Sequence, residues 1–341
     1  MFMLQSLSYV NVYLRRNLEV KISLVIPFFN EENQIPVTIN TVIPIMNSLE
    51  YDYEIILIDD GSKDHTWHMI EQAAAYVRPV DEKGLKGTIS ALRFSRNFGK
   101  EAAICAGLHY SSGDGVILMD GDLQHPPQYI PLMVDLWDKG KVDIIEGVKS
   151  HRGKESFAQK MNAFVFYKVF GKASGYDLQN ASDFKLLDRK VVQEWKRLGE
   201  HDTFFRALSA WLGFSRKSFE FEVPKRSQGE SKWSPLKLAA LSVNAITSFS
   251  ALPLHLITFL GLASLFLAII LGIQTLVKWA SGNASSGFTT VILLQLFLGG
   301  LTMISLGLIG IYIARIFTEV KARPRYIVSK AVNLEGYPGI Y

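Results

Sequence analysis

The chain reads as α/β: a doubly wound, mostly parallel sheet, followed by a C-terminal module of two transmembrane helices. Three observations predict this. Short apolar, β-branched runs alternate with helical stretches across residues 21–233, which is the signature of βα units and a parallel sheet. Two long segments, Leu238–Val277 and Trp279–Ala314, contain no Asp, Glu, Lys or Arg. Two carboxylates, Asp120 and Asp122, stand where the apolar run Gly115–Met119 ends, and open α/β sheets bind ligands at that edge.

The elements follow in order. Ile22–Ile26 predicts a first strand, stopped by Pro27. Ile35–Leu49 has helical apolar spacing. Glu54–Ile58 predicts a second strand that runs into Asp59-Asp60-Gly61-Ser62, and Thr66–Val77 a helix capped by Asp64 or Thr66. Thr88–Phe94, Gly115–Met119 and Val142–Glu146 predict further strands, with Lys100–Tyr110 as the helix after the third. That helix carries the single cysteine, Cys105, which excludes an intramolecular disulfide and reads as a buried thiol. No Gly-x-Gly-x-x-Gly follows the first strand and no P-loop sequence occurs, so both dinucleotide and P-loop readings lack their fingerprint.

The 341 residues are 48% hydrophobic with a net charge of +4, and mean hydropathy is +0.15. The excess sits at the C-terminal end. Leu254–Val277 and Phe288–Ala314 are each long enough, at about 1.5 Å per residue, to cross a hydrocarbon core of ~30 Å. The connector Lys278–Gly287 has one lysine, whereas Lys225, Arg226, Lys232 and Lys237 precede the spans and Arg315, Lys321, Arg323, Arg325 and Lys330 follow. The positive-inside rule then places both ends, and the α/β domain, in the cytoplasm. Met1–Asn11 lacks a basic start and a long apolar core, so no secretory signal is expected. The boundaries read as an N-terminal extension (1–20), the α/β domain (21–233), a juxtamembrane interfacial helix (234–250), two transmembrane helices (251–316) and a cytoplasmic tail (317–341). Phe157–Phe170 and Trp233–Ser250 mix aromatic or aliphatic residues with lysine and predict amphipathic helices at the membrane surface.

The chemistry is concentrated in Asp120-Gly121-Asp122-Leu123-Gln124. Carboxylate oxygens one residue apart suit a hard divalent cation whose shell a diphosphate completes. A solvated acidic turn is the alternative.

Taken in order, several segments resemble family 2 glycosyltransferases of the GT-A fold. They are Val25-Ile26-Pro27-Phe28-Phe29-Asn30-Glu31-Glu32, Asp59-Asp60-Gly61-Ser62-Lys63-Asp64, Arg93–Lys100, Asp120–Pro127 and Asn180–Leu187. With the two spans, the nearest resemblance is to polyisoprenyl-phosphate glycosyltransferases, a group that includes bactoprenol glucosyltransferases and dolichol-phosphate mannose synthase. The resemblance implies a Rossmann-like GT-A catalytic domain and an inverting, single hexose transfer from a UDP-sugar, glucose first, to a polyprenyl (undecaprenyl) phosphate. It implies that Pro27, Phe29, Glu31, Asp59, Asp60, Arg96, Lys100 and Asp120 bind the donor. Asp120, Asp122 and Gln124 would hold Mg²⁺ or Mn²⁺, and Asp122, Asp183 and Asp120 form the catalytic set.

Lys149, Arg152, Arg226, Ser231 and Lys232 are the expected contacts of the acceptor phosphate; generic attraction to anionic lipid is the alternative for the basic ones. A phosphate monoester has a second pKa near ~6, so Asp183 is expected to orient the acceptor or sugar, or to take a residual proton. A helix cap before Phe184–Leu187 is its alternative role. His125 reads as a loop residue rather than a ligand. The lipid bilayer is a further partner, a homo-oligomer (a tetramer at family level) is implied, and no nucleic-acid partner is expected. Competing readings keep the fold but use mannose, aminoarabinose or a lipid hydroxyl, or make the chain a membrane scaffold that only binds nucleotide sugar.

Overall fold

The computed structural model describes residues 20–76, 84–150, 182–201, 203–222, 247, 251–282 and 287–334. They form two compact units. One holds the sheet and includes residues 324–334; the other holds the two long apolar helices.

The sheet has eight strands: β1 (Lys21–Phe28), β2 (Asp52–Asp59), β3 (Gly87–Phe94), β4 (Gly115–Leu118), β5 (Ile144–Lys149), β6 (Lys185–Asp188), β7 (Arg216–Phe221) and β8 (Val328–Val332), in the order β7-β5-β6-β4-β1-β2-β3-β8. Pairs β1–β2, β1–β4, β2–β3 and β5–β7 are parallel, whereas β4–β6, β5–β6 and β3–β8 are antiparallel. Central strands buried on both faces read as continuous apolar runs; Ile55, Ile56, Leu57 and Ile58 of β2 are all fully buried. Helices α1 (Gln34–Ser48), α2 (Thr66–Ala73), α3 (Lys100–Tyr110), α4 (Ile130–Gly140), α5 (Arg189–Arg197) and α6 (Phe205–Trp211) accompany the strands. Asp64 Oδ1 accepts the Thr66 N–H at 3.1 Å, but the N-cap position of α2 is His65 with no side-chain cap bond, so neither expected residue, Asp64 or Thr66, caps it.

Three further sequence expectations need correction. Pro27 does not stop the first strand, which continues to Phe28. In β1, the carbonyls of Lys21 and Val25 both accept N–H groups on the β4 side, from Asp114 and Met119. Pro27 shares their parity, and β4 is paired only as far as Val25, so its missing N–H breaks no ladder bond. Residues 184–187 are not a helix start: β6 begins at Lys185, and the helix cap that follows is Asp188, whose side chain accepts the Lys190 N–H. The stretch after the second apolar helix was expected as a tail, yet it supplies β8, an edge strand on β3. Cys105 is buried, as expected.

In the other unit, α7 (Leu252–Ala280) and α8 (Phe288–Lys321) contain candidate membrane spans, Leu252–Lys278 and Val291–Lys321. Polar side chains inside them are satisfied locally. Thr258, Thr275, Thr302 and Ser305 each donate to the carbonyl four residues back, so each hydroxyl finds its acceptor within its own helix. The interfacial segments expected at 157–170 and 233–250 lie outside the described residues, apart from Thr247.

Candidate active site

The carboxyl ends of β1, β2 and β4 open onto a cleft of about 300 Å³. Pro27, Phe29 and Glu31 line it from the end of β1, Asp60 from β2, and Asp120 and Asp122 from the loop after β4. Asn97 and Gly99 line it from the loop that follows β3, and Lys100 from the first turn of α3. Local chemistry fixes the acidic loop. Thr38 Oγ1 donates to the Gly121 carbonyl at 2.6 Å, and the Gln124 N–H donates to Asp122 Oδ1 at 3.0 Å. A Cβ on Gly121 would stand 2.3 Å from the Phe28 ring, so the loop approaches β1 as closely as it does because this residue has no side chain. Leu123 carries a positive φ of 58° between Asp122 and Gln124, a backbone strain of the kind that recurs at functional loops.

His125 is buried and stacks on Phe184 with ring centroids 5.2 Å apart. Its Nδ1 accepts the Asp120 N–H at 3.0 Å. A backbone N–H only donates, so the ring is neutral with its proton on Nε2, which lies 3.5 Å from Ser182 Oγ. Burial lowers its pKa, in agreement with that form. His125 therefore braces the acidic loop and has no nitrogen to spare for a metal.

Four carboxylates line the cleft: Glu31, Asp60, Asp120 and Asp122. Burial, followed by the charges of Asp122, Asp120 and Asp64, pushes Glu31 up to about 7. Glu31 Oε2 is buried with no hydrogen-bond partner among the described residues. An orphaned oxygen among like charges, in an all-oxygen donor set, fits a hard divalent cation. Among the described residues, no three His, Cys, Asp or Glu side chains are grouped tightly enough to hold an ion alone. Such a cation would be held mainly by Asp120 and Asp122, with the rest of its shell from outside the protein.

Lys100 ties the cleft together from the first turn of α3. Its Nζ lies 2.6 Å from Asp120 Oδ1 and 2.7 Å from Asp183 Oδ2. Burial opposes its charge, but Asp120 and Asp183 outweigh it and hold the ammonium well above its ordinary pKa. Asp183 is paired twice: Arg206 Nε donates to Oδ1 at 2.8 Å and Nη2 to Oδ2 at 2.9 Å. Burial alone would raise Asp183, yet Arg206 and Lys100 pull it far below the usual carboxylate range. A carboxylate held this way by two cations is a poor proton acceptor. Beneath it, Lys185 is fully buried, pairs with Glu146 at 3.2 Å and donates to Ser209 Oγ at 2.6 Å. Glu146 in turn accepts the Ser182 N–H.

Of the residues expected at the site, Pro27, Phe29, Glu31, Asp60, Lys100, Asp120 and Asp122 line the cleft, and others do not. Asp59 was expected at the donor; it is fully buried and does not line the cleft. Its carboxylate accepts the Ser62 N–H at 2.9 Å and faces Arg93 Nε at 3.2 Å. Asp60 does line the cleft, and its two oxygens accept the Phe98 and Gly99 N–H groups at 2.7 and 2.9 Å. Adjacent residues at a strand end point to opposite sides, which separates the pair. Arg96 also turns from the cleft, with its guanidinium 4.2 Å above the Phe98 ring. Gln124 is half-buried at the end of the acidic loop. Lys149 ends β5 close enough to Arg206, Asp120 and Asp122 to feel their charges, and burial lowers its pKa. Arg152, Arg226, Ser231 and Lys232 lie outside the described residues. Arg206 was given no role in advance. Its signal was a lone cation in the apolar stretch Phe204–Phe214. Lys185, equally isolated in Phe184–Leu187, gave the same kind of signal.

A family model described as Glycosyl transferase family 2 matches residues 23–195, which contain every cleft-lining residue named above. A glycosyltransferase of Synechocystis sp. described as uncharacterized is 38% identical over 94% of this chain and 98% of that protein. The SfII prophage-derived bactoprenol glucosyl transferase of Shigella flexneri is 39% identical over 92% of this chain and 98% of that protein. Among solved structures, glucosyl-3-phosphoglycerate synthase of Mycobacterium tuberculosis aligns with a TM-score of 0.46 and 19% identity, covering 67% of this chain and 76% of that chain. On the family model and the two full-length relatives, this chain belongs to glycosyl transferase family 2.

Proposed function

We propose that the chain transfers one hexose, glucose first among the candidates, from a UDP-sugar to a polyprenyl phosphate at the cytoplasmic face of a membrane, with inversion. The observation that carries this reading is the gathering of Glu31, Asp120 and Asp122 around one cleft beside the doubly paired Lys100. Pro27, Phe29, Asp60 and Asn97 border the nucleotide end. Asp120 and Asp122, with Gln124 beside them, would hold Mg²⁺ or Mn²⁺. When bound, such an ion offsets charge on the departing nucleoside diphosphate.

The acceptor supplies its own nucleophile. A phosphate monoester near neutral pH is already an oxyanion, so the reaction needs little from a general base. Asp183 accordingly orients Lys100 and Arg206 rather than removing a proton. Arg206 and Lys149 are the described cations suited to a phosphate on the side away from the nucleotide, and Arg can bind it in bidentate fashion. Arg152, Arg226 and Lys232, with the Ser231 hydroxyl, are proposed to complete that phosphate-binding set. The lipid nature of the acceptor is supported by the two candidate spans and by relatives named as bactoprenol glucosyl transferases.

The test is a donor panel with the purified full chain, undecaprenyl phosphate and Mg²⁺ or Mn²⁺. UDP-glucose is expected to give a lipid-phosphate hexose identified by mass, with weaker or no product from GDP-mannose and UDP-aminoarabinose. Sugar found on a lipid hydroxyl, or no transfer from any donor, would overturn the acceptor assignment.

A further inference from the structure

We infer that residues 325–333, remote in sequence from every cleft residue, are a positioning element for the nucleotide end of the cleft. This rests on the reading that Asp60 borders the nucleotide. β8 pairs antiparallel with β3, and the register slips between Arg93 and Phe94: Arg93 faces Lys330, whereas Phe94 faces Val328. Ser329 is the spare residue at that slip. Its hydroxyl lies 3.1 Å from the Arg93 carbonyl and 3.2 Å from the Phe94 carbonyl. Bulges of this kind re-aim a strand and recur beside active sites.

The re-aimed strand leads straight into the cleft wall. The Ser95 N–H donates to the Ile327 carbonyl at 2.9 Å. Tyr326 stacks on Phe94 at 5.0 Å, and Phe94 meets Phe98 edge-on at 5.8 Å. Phe98 and Gly99 then donate to both oxygens of Asp60. On the inner side, the Arg93 guanidinium holds Asp59 and the Ser62 carbonyl. Gly61 packs so closely on this loop that a Cβ there would lie 2.3 Å from the Arg96 backbone. The segment is pinned at both ends. Arg325 Nη2 donates to the Leu198 carbonyl at 2.6 Å, and Asn333 Nδ2 donates to the Ala74 and Ile89 carbonyls at 2.7 and 3.0 Å. Each contact between β8 and Asp60 is thus direct, with no unsupported gap between them.

The experiment uses the full chain in detergent and the variants Ser329→Ala, Ser329→Thr and Tyr326→Leu. UDP with Mn²⁺ is titrated calorimetrically, and KM is measured for donor and acceptor separately. Ser329→Ala and Tyr326→Leu are each expected to weaken UDP and raise donor KM about fivefold, while kcat and acceptor KM stay within about twofold. Ser329→Thr, which keeps the hydroxyl, is expected to restore both values. Unchanged UDP affinity in both disrupting variants, or equal losses in kcat and acceptor KM, would overturn the inference. Amide exchange at Phe98 and Gly99 separates it from the nucleotide reading. A wild-type chain that fails to bind UDP sinks that reading. Exchange unaltered by Ser329→Ala sinks the positioning role, whatever the ligand.

Discussion

The two sides of the cleft are built differently. On the side of parallel strands β1–β4, successive βα units deliver Pro27, Glu31, Asp60, Lys100, Asp120 and Asp122 to one edge. On the β6–β5 side, antiparallel β6 brings Lys185 against Glu146, and α6 brings Arg206 onto Asp183, just ahead of β6. The first side leaves carboxylates under-neutralised, as Glu31 shows. The second neutralises Asp183 twice over, with its own Arg206 and with Lys100 from the first. The difference separates roles: one side is short of a positive charge that a ligand can bring, and the other is a fixed electrostatic wall.

The comparison breaks first at Asp122. Asp122→Asn is expected to cut the initial rate of sugar transfer by about 10²–10³-fold, the scale of removing one charge-stabilising group. Chelation should match that loss in the wild type and add little to the variant. A fully active chelated enzyme would end the idea that the acids await a cation.

Arg206 tests the wall. Arg206→Ala strips the bidentate partner from a carboxylate that is only 8% exposed. It is expected to cost about 3 kcal/mol in a thermal-unfolding series, after allowance for the partly exposed guanidinium. Arg206→Lys should recover only part, because an ammonium does not reproduce the fork.

Glu101 sharpens the comparison through pH. It sits in the first turn of α3 and accepts the Phe205 N–H at 2.8 Å, and burial pushes it up to about 7. Its folded pKa exceeds the ordinary 4.5, so the folded state holds the proton more tightly. Stability should therefore fall as pH rises from 4.5 to 7. Glu101→Gln keeps an acceptor for Phe205 and removes that slope. Its advantage over the wild type is expected to grow to about 2 kcal/mol by pH 8. A constant difference between pH 5 and 8 would show that Glu101 stays ionised.

The smallest effect belongs to Thr38. Thr38→Val should leave the buried Gly121 carbonyl without its donor, lower stability by about 1 kcal/mol and raise the metal requirement a few-fold. Equal metal titrations for variant and wild type would show that the acidic loop needs no support from α1.

The first side of the cleft was the legible one. Strand and loop there are neighbours in sequence, and the acids Glu31, Asp60, Asp120 and Asp122 stand directly after apolar runs. What was not legible depends on pairing across long separations. Nothing near Asp183 says that Arg206 will meet it, or that residues 185–188 form a strand rather than a helix start. Nothing near Val328 names β3 as its partner. Asp59 and Asp60 fail differently: adjacency marks the strand end, but only the sheet decides which of two consecutive side chains faces the cleft. Pro27 shows the converse, since a residue that ought to end a strand is harmless where its neighbour has already stopped.

The return of the chain onto β3 has a practical corollary for protein engineering. A probe attached within β8 (Val328–Val332) rides on the strand that borders Arg93 and so reports on the cleft wall. One attached at Lys21 sits at the amino end of β1, opposite the cleft. Assays that compare labelled proteins should therefore carry the label at the amino end of β1.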